Sequence, residues 1–292
     1  VEIEEISIRN ATFDTRDFID GVVVSGHLGE LFLESHGVVF SPETARINEF
    51  SVKNTDVSLT LGSIESTDTV PSEPLYWKIL LDEIDFENVG FALKMPQDSL
   101  FVRTMLPKTT LKNGVIDLKE ASYYVKSFGI DNAELAYGPK EELFLQQIGL
   151  QLDSIYYCGK DIRANIEEFV LKERSGLELV STEGRIVSDS VLIEIPKFTM
   201  KTTASSLDLQ TKIGWDVLEM KKTGVLSAKI NAEIGKGDVA KILGGRDTLF
   251  LQTYPNKPFV FRADAEGNLN SLRLRTLEAG LAKAFELKAE GD

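Results

Sequence analysis

Residues 47–55 read INEFSVKNT, and residues 195–203 read IPKFTMKTT. Both fit I-x-x-F-[S/T]-Φ-K-x-T, where Φ is apolar. A catalytic motif is needed once, whereas a phrase that recurs with its apolar positions kept and its polar ones varied marks a repeated structural unit. Relaxed to Φ-x-x-Φ-x-Φ, followed after a short polar step by Φ-x-Φ, the phrase recurs at Leu81, Ile84 and Phe86 with Phe91 and Leu93. It recurs again at Val125, Phe128 and Ile130 with Leu135 and Tyr137, and at Ile166, Phe169 and Leu171 with Leu177 and Leu179. A looser copy begins at Leu274, Leu277 and Ala279.

Within each copy apolar residues alternate with polar ones, the period of a half-buried β-strand. The segments ENVG, IDNA, ERSG and TTASS carry the Asn, Ser and Gly of tight turns, so each copy is expected to be an antiparallel hairpin. The Φ-x-x-Φ opening breaks alternation by one residue, which predicts a bulge or bend. Helical signals are few. DVAKILGG predicts a short helix capped by Asp238 and ended by Gly244, and DTRDFIDG is a weaker helical candidate. The expected fold is all-β: a long, curled, antiparallel sheet of repeated hairpins, trough-like and solenoid-like, with one or two short helices. Residues 1–292 form one elongated repeat-built domain in this reading, with looser repeats over 1–140 and clearer ones over 141–292.

Composition bounds the function. The chain has 292 residues, 42% hydrophobic and 27% charged, as folded proteins do. Its formal net charge of -14 disfavours nucleic acid and anionic lipid surfaces. No apolar run is long enough for a membrane-spanning helix, and the opening VEIEEISIRN is neither a signal peptide nor a Met start, so the chain reads as an excised soluble fragment. The single cysteine, Cys158, fits either a reducing compartment or a bacterial envelope protein that avoids free thiols.

The stretch FVLKERSGLELVSTEGRIVSDSVLIEIPKFTMKTTASSLDLQTKI resembles a recurrent segment of the AsmA-like and TamB family, particularly in Bacteroidota. Leu171, Glu173, Ser175, Gly176 and Leu177 match the family's L-x-E-x-S-G-L, and Gly184 its following glycine. Val191, Ile193 and Ile195 match its alternating strand, and Thr202 or Thr203, Ser206, Leu207 and Leu209 its closing T-x-x-S-x-L. The stretch from Gly237 to Gly280 is similar to the family's helix-then-hairpin unit, with Gly267, Leu272 and Leu274 at its marker positions. The resemblance covers about residues 160–292, and reaches the first half only through the looser repeat. It implies a periplasmic protein held in the inner membrane by an anchor outside this chain, built as a curled sheet with an apolar interior. It also implies an outer-membrane barrel-assembly partner and phospholipid as cargo.

Acyl chains gain about 0.8 kcal/mol per buried methylene, so a continuous apolar trough offers them a path without any chemistry. The best alternating strands nominate its lining: Val57, Leu59, Leu61, Ile84, Phe86, Phe91, Leu93, Ile148, Leu150 and Leu152 in the first half. In the second half they are Val191, Ile193, Ile195, Phe198, Met200, Leu207, Leu209, Phe259, Phe261, Leu272 and Leu274. The competing account of the same residues is the core of a closed sandwich or barrel.

Reactive constellations are absent from the sequence pattern. His27 and His36, the only histidines, lack metal-ligand spacing and are expected to flank a hairpin arm. In DEIDFENVG, Asp85 and Glu87 fall on the strand face opposite Ile84 and Phe86, a solvated face rather than a calcium loop. Gly235 and Gly237 are superficially like a dinucleotide fingerprint, but no βαβ unit follows, so a turn into a helix cap is expected. Asp-[Ser/Thr]-apolar recurs at Asp68, Asp98, Asp153, Asp189 and Asp247, similar to an envelope O-glycosylation sequon. No catalytic residue, metal or cofactor is assigned. The leading expectation is a non-enzymatic scaffold and lipid conduit; a secreted β-rich adhesion module and a β-helical hydrolase are the alternatives.

Overall fold

The computed structural model describes residues 4–17, 21–40, 43–62, 76–97, 99–220, 224–244, 246, 248–282 and 284–291. Among the described residues the alternating segments form fifteen strands, with three short helices between them. They make an open, mostly antiparallel sheet in which strand order follows chain order from first to last. The chain divides into two compact units, Val1–Ser154 and Ile155–Asp292.

The first unit contains β1 (Glu5–Asp17), β2 (Val22–Phe40), β3 (Glu43–Thr60), β4 (Lys78–Met95), β5 (Leu100–Asp117), β6 (Ser122–Tyr137) and most of β7 (Leu143–Cys158). Two expectations fail here for one reason. ENVG and IDNA are not hairpin turns: β4 runs straight through the first and β6 through the second. Asn88 and Asn132 adopt positive φ, 52° and 56°, inside these strands, and asparagine tolerates that region better than other residues with a Cβ. Each inserts one residue without reversing the chain, so the copy is one long strand with a phase break. Similarly, DTRDFIDG is extended through Asp17 rather than helical; 18–20 lie outside the described residues.

The repeat is nevertheless physical. β3 and β4 lie side by side with Ile47 opposite Leu81, Phe50 opposite Ile84 and Val52 opposite Phe86, so two copies of the phrase are in register. This pairing is parallel, not antiparallel as expected throughout. Parallel strands need a long crossover, and residues 61–77 between them supply more chain than a hairpin uses.

The second unit is antiparallel in every described pairing. It comprises β8 (Asp161–Glu173), β9 (Glu178–Ser188), β10 (Leu192–Thr202), β11 (Ser206–Gly214), β12 (Leu226–Ile234), β13 (Phe259–Gly267), β14 (Leu272–Leu281) and β15 (Phe285–Gly291). Here the turn reading holds. ERSG closes β8 to β9, with Gly176 at φ 87° donating its N–H to the Glu173 carbonyl at 2.8 Å. TTASS closes β10 to β11, with the Ser205 N–H on Thr202 Oγ1 at 2.8 Å. The predicted bulge falls between Ile195 and Phe198, the Φ-x-x-Φ step of IPKFTMKTT.

Helix α1 (Trp215–Leu218) follows β11; α2 (Lys236–Leu243) and α3 (Thr248–Thr253) lie between β12 and β13. α2 ends at Gly244 in the left-handed region, as expected, but its N-cap is Gly235 and Asp238 sits inside the first turn. No described helix is long and apolar enough to cross a membrane. Buried apolar side chains are few among the described residues: Val52, Leu81, Ala133, Ala136, Val217 and Tyr254. Most apolar side chains of the strands are half-buried, covered by neighbours in the same sheet.

Candidate functional site

Residues paired across strands share a face, and the registers sort the side chains of the first unit into two sets. One row runs Ile6, Leu33, Phe50, Ile84, Leu111, Phe128 from β1 to β6. The next runs Ile8, Leu31, Val52, Phe86, Thr109, Ile130. Beyond the phase break the same face continues with Val57, Phe91, Thr104 and Leu135, then Leu59, Leu93, Val102 and Tyr137. The aromatic rings of Phe50 and Phe86 meet edge to face, with centroids 6.1 Å apart.

The opposite face is charged. Arg9, Glu30, Lys53, Glu87, Lys108 and Asp131 alternate in sign across six strands. Arg9 pairs with Glu30 at 3.4 Å and Lys53 with Glu87 at 3.4 Å. A second row is unlike it: Glu5, Glu34, Glu49 and Glu83 stand directly opposite one another, relieved only at the end by Lys112, 2.8 Å from Glu83. Next to that row, Glu49, Ser51, Lys53, Asp85, Glu87 and Lys108 border an open cavity of about 440 Å³. Burial pushes the Asp85 carboxyl up and the Glu83 charge adds to this, against Lys112, Lys108 and Lys53. Asp85 and Glu87 thus lie opposite Ile84 and Phe86, as alternation requires.

A seam of left-handed residues holds the two faces in phase. Asn10, Asn54 and Asn88 have φ of 52°, 50° and 52°, and Asn132 56°. Because β3 and β4 both insert a residue at this level, their pairing keeps one offset from Thr44 opposite Lys78 to Thr60 opposite Lys94. On β2 the seam meets Gly29, where a Cβ would stand 2.4 Å from the Asn54 carbonyl oxygen, so only glycine fits.

The second unit repeats the plan. Phe198, Leu209, Ile230, Ala263, Leu277 and Ala289 form one row from β10 to β15; Met200, Leu207, Ala232, Phe261, Ala279 and Leu287 form the next. The far face carries Glu194 with Lys212 at 3.0 Å and Arg262 with Glu278 at 3.1 Å.

The nominated lining residues fall into these sets. Val57, Leu59, Ile84, Phe86, Phe91 and Leu93 share the apolar face of the first unit. Gln151 reaches Asp131 on the charged face at 3.3 Å, so Leu150 and Leu152 on either side of it, and Ile148 in the same phase, point the other way. Leu61 follows β3, its N–H on the Lys94 carbonyl at 2.9 Å. In the second unit Ile193, Ile195, Phe198, Met200, Leu207, Leu209, Phe259, Phe261, Leu272 and Leu274 lie on one face. Val191 is the exception: it occupies the turn before β10, exposed, its N–H bound to Asp189 Oδ1 at 2.7 Å. The same rows also carry Phe50, Leu31, Leu33, Leu111, Ile230 and Leu277, which were not nominated as lining. Sequence reasoning missed the copy in β1, whose signal was Ile3, Ile6 and Ile8; asparagine stands seven residues after the first apolar position in four copies, at 10, 54, 88 and 132.

Polar clusters are local. Both histidines lie exposed within β2 instead of flanking an arm. His36 Nδ1 meets Asn48 Oδ1 at 2.7 Å, and Asn48 passes the contact to Asp82, which Arg46 holds at 3.0 Å. Among the described residues the most enclosed carboxylate is Asp238. It accepts from Ser205 Oγ at 2.6 Å and from the Thr202 hydroxyl, with Thr203 at 3.4 Å and Lys241 at 3.9 Å. Burial opposes its ionisation, but these hydroxyls and Lys241 outweigh burial and hold the carboxyl below its usual range. Asp238 therefore ties α2 to the β10–β11 turn. Gly235 serves as that helix's cap, as the turn reading of GKG implied. Among the described residues no group of His, Cys, Asp or Glu is arranged to hold a metal ion. Cys158 is half-buried and outside any disulfide. Of the five Asp-[Ser/Thr] sites, Ser99, Ser154 and Ser190 are exposed, and Asp68, Asp98 and Asp247 lie outside the described residues.

No family model matches the chain, and no curated protein matches it.

Proposed function

We propose that this chain is a scaffold segment of an envelope protein of AsmA-like or TamB type, in which the apolar faces of its sheet carry phospholipid acyl chains. The observation that supports this most is the row structure. Apolar side chains continue from strand to strand on one face in each unit, half-exposed, while charges occupy the other. A face of this kind lets methylenes leave water at successive strands with headgroups outside, and it needs no covalent step. The same reading assigns the segment to the periplasm, attached to the inner membrane through an anchor outside this chain and working with an outer-membrane barrel-assembly protein.

Extraction without detergent, followed by nondenaturing mass spectrometry, tests it. Phospholipid should accompany the chain, and Phe86→Asp and Ile230→Asp, each placing a charge in the middle of an apolar row, should release it. A lipid-free chain that also takes up no phospholipid from vesicles would sink the reading.

A further inference from the structure

The chain is acidic, with a formal net charge of -14, yet the stretch joining β12 to β13 is not. Residues 235–258 hold Lys236, Lys241, Arg246 and Lys257 against Asp238 and Asp247. Asp238 is engaged internally by the 202–205 turn. Lys236 Nζ is fixed on the Tyr254 carbonyl at 2.9 Å and Tyr254 donates its hydroxyl to the Ile234 carbonyl at 3.1 Å, so the insert is fastened to β12 at its base. The insert exposes Ile242, Leu249 and Phe250 by 68%, 75% and 45%, and the same stretch carries the exposed Arg246 and Lys257. Protruding apolar side chains next to cations are the two signals that together hold a protein on an anionic bilayer.

We propose that the α2–α3 insert is a membrane-contact element that rests on an anionic lipid surface. Charge complementarity selects the occupant: the insert is cationic in an otherwise acidic chain, and Ile242 and Leu249 are exposed on it, with Phe250 half-exposed and edge-on to Tyr254. Glu233 at the end of β12 is the nearest flanking carboxylate in sequence. Charges farther than about 8 Å are largely screened at physiological salt, so the acidity of the rest does not cancel the attraction at the insert. This contact is independent of whether the sheet's apolar faces carry lipid.

Co-sedimentation with vesicles of phosphatidylcholine, and of phosphatidylcholine mixed with phosphatidylglycerol, tests the proposal. Retention is expected on the mixed vesicles, with little on the neutral ones and a loss at high salt. Removing two cations, in Arg246→Ala with Lys257→Ala, should weaken it about thirtyfold. Ile242→Ser with Leu249→Ser should weaken it comparably, and unchanged circular dichroism should accompany both. No retention on anionic vesicles, equal retention on neutral ones, or retention unmoved by both double variants would overturn it.

Discussion

Asn88 donates its side-chain amide to the side-chain oxygen of Asn54 at 3.2 Å, joining two residues 34 apart in sequence that occupy the same place in adjacent copies of the repeat. Both hold positive φ within parallel strands. The bond therefore fastens one phase break to the next, and the apolar face survives the break on both strands. Without the inserted residue, every side chain beyond it would change face.

Replacing Asn54 or Asn88 by alanine should cost about 1–2 kcal/mol, since a residue with an ordinary Cβ pays that much in the left-handed region. Glycine at either position should cost less despite losing the amide contact. Urea unfolding of the single variants checks the order, and an alanine variant as stable as the parent would show that the seam is not held by backbone preference.

The Asp238 carboxyl sits below its usual range when folded, so it stabilises the fold fully above the unfolded value of about 3.9. That contribution fades as pH falls from there through the lower folded value. Asp238→Asn should lower stability at neutral pH and flatten the acid limb of a stability-against-pH curve. Parallel curves for parent and variant would contradict the tie between α2 and the β10–β11 turn.

Asp85 has the opposite sign. Its carboxyl is raised by burial and by Glu83, so its protonated form favours folding: that stability is complete below about 3.9 and is lost as pH rises through the folded value. Asp85→Asn should consequently be stabilising at neutral pH, with the advantage vanishing in acid. Glu49→Gln should also stabilise, by about 0.5 kcal/mol, because Glu49 faces Glu34 on one side and Glu83 on the other. Thermal melts at two pH values separate these effects.

Phe50 and Phe86 supply an internal calibration of the apolar face. Their edge-to-face geometry predicts a coupling of roughly 0.5–1.5 kcal/mol in a double-mutant cycle to alanine. A coupling near zero would mean that the rings only share burial.

Much of the fold was legible because alternation is a local property. The strands, the low helix content, the helix stop at Gly244 and the turns ERSG and TTASS all follow from residue types within a few positions of one another. The hairpin reading of ENVG and IDNA failed because asparagine at positive φ serves both a reversal and an inserted strand residue, and only the neighbouring strand, inserting at the same level, decides between them. The parallel pairing of β3 with β4 was equally invisible, since registry between Ile47 and Leu81 is a relation across space. Residues that share the apolar face were legible where alternation ran unbroken, as in Leu207 and Leu209. Face membership was harder to read where a phase break or bulge split the run, as around Phe50, Leu111 and Leu277. Asp238 looked like a cap from its place before an apolar run; its three hydroxyl partners come from a turn 33 to 36 residues upstream.

In the described pairings each strand bonds only to the strands before and after it in the chain. Stability is then a sum of nearest-neighbour terms and not one shared interior. Heating should peel such a sheet in stages, giving a broad calorimetric transition whose van't Hoff enthalpy falls short of the measured heat. Amide exchange should be slowest in mid-array strands such as β4 and β11 and fastest toward the outermost ones.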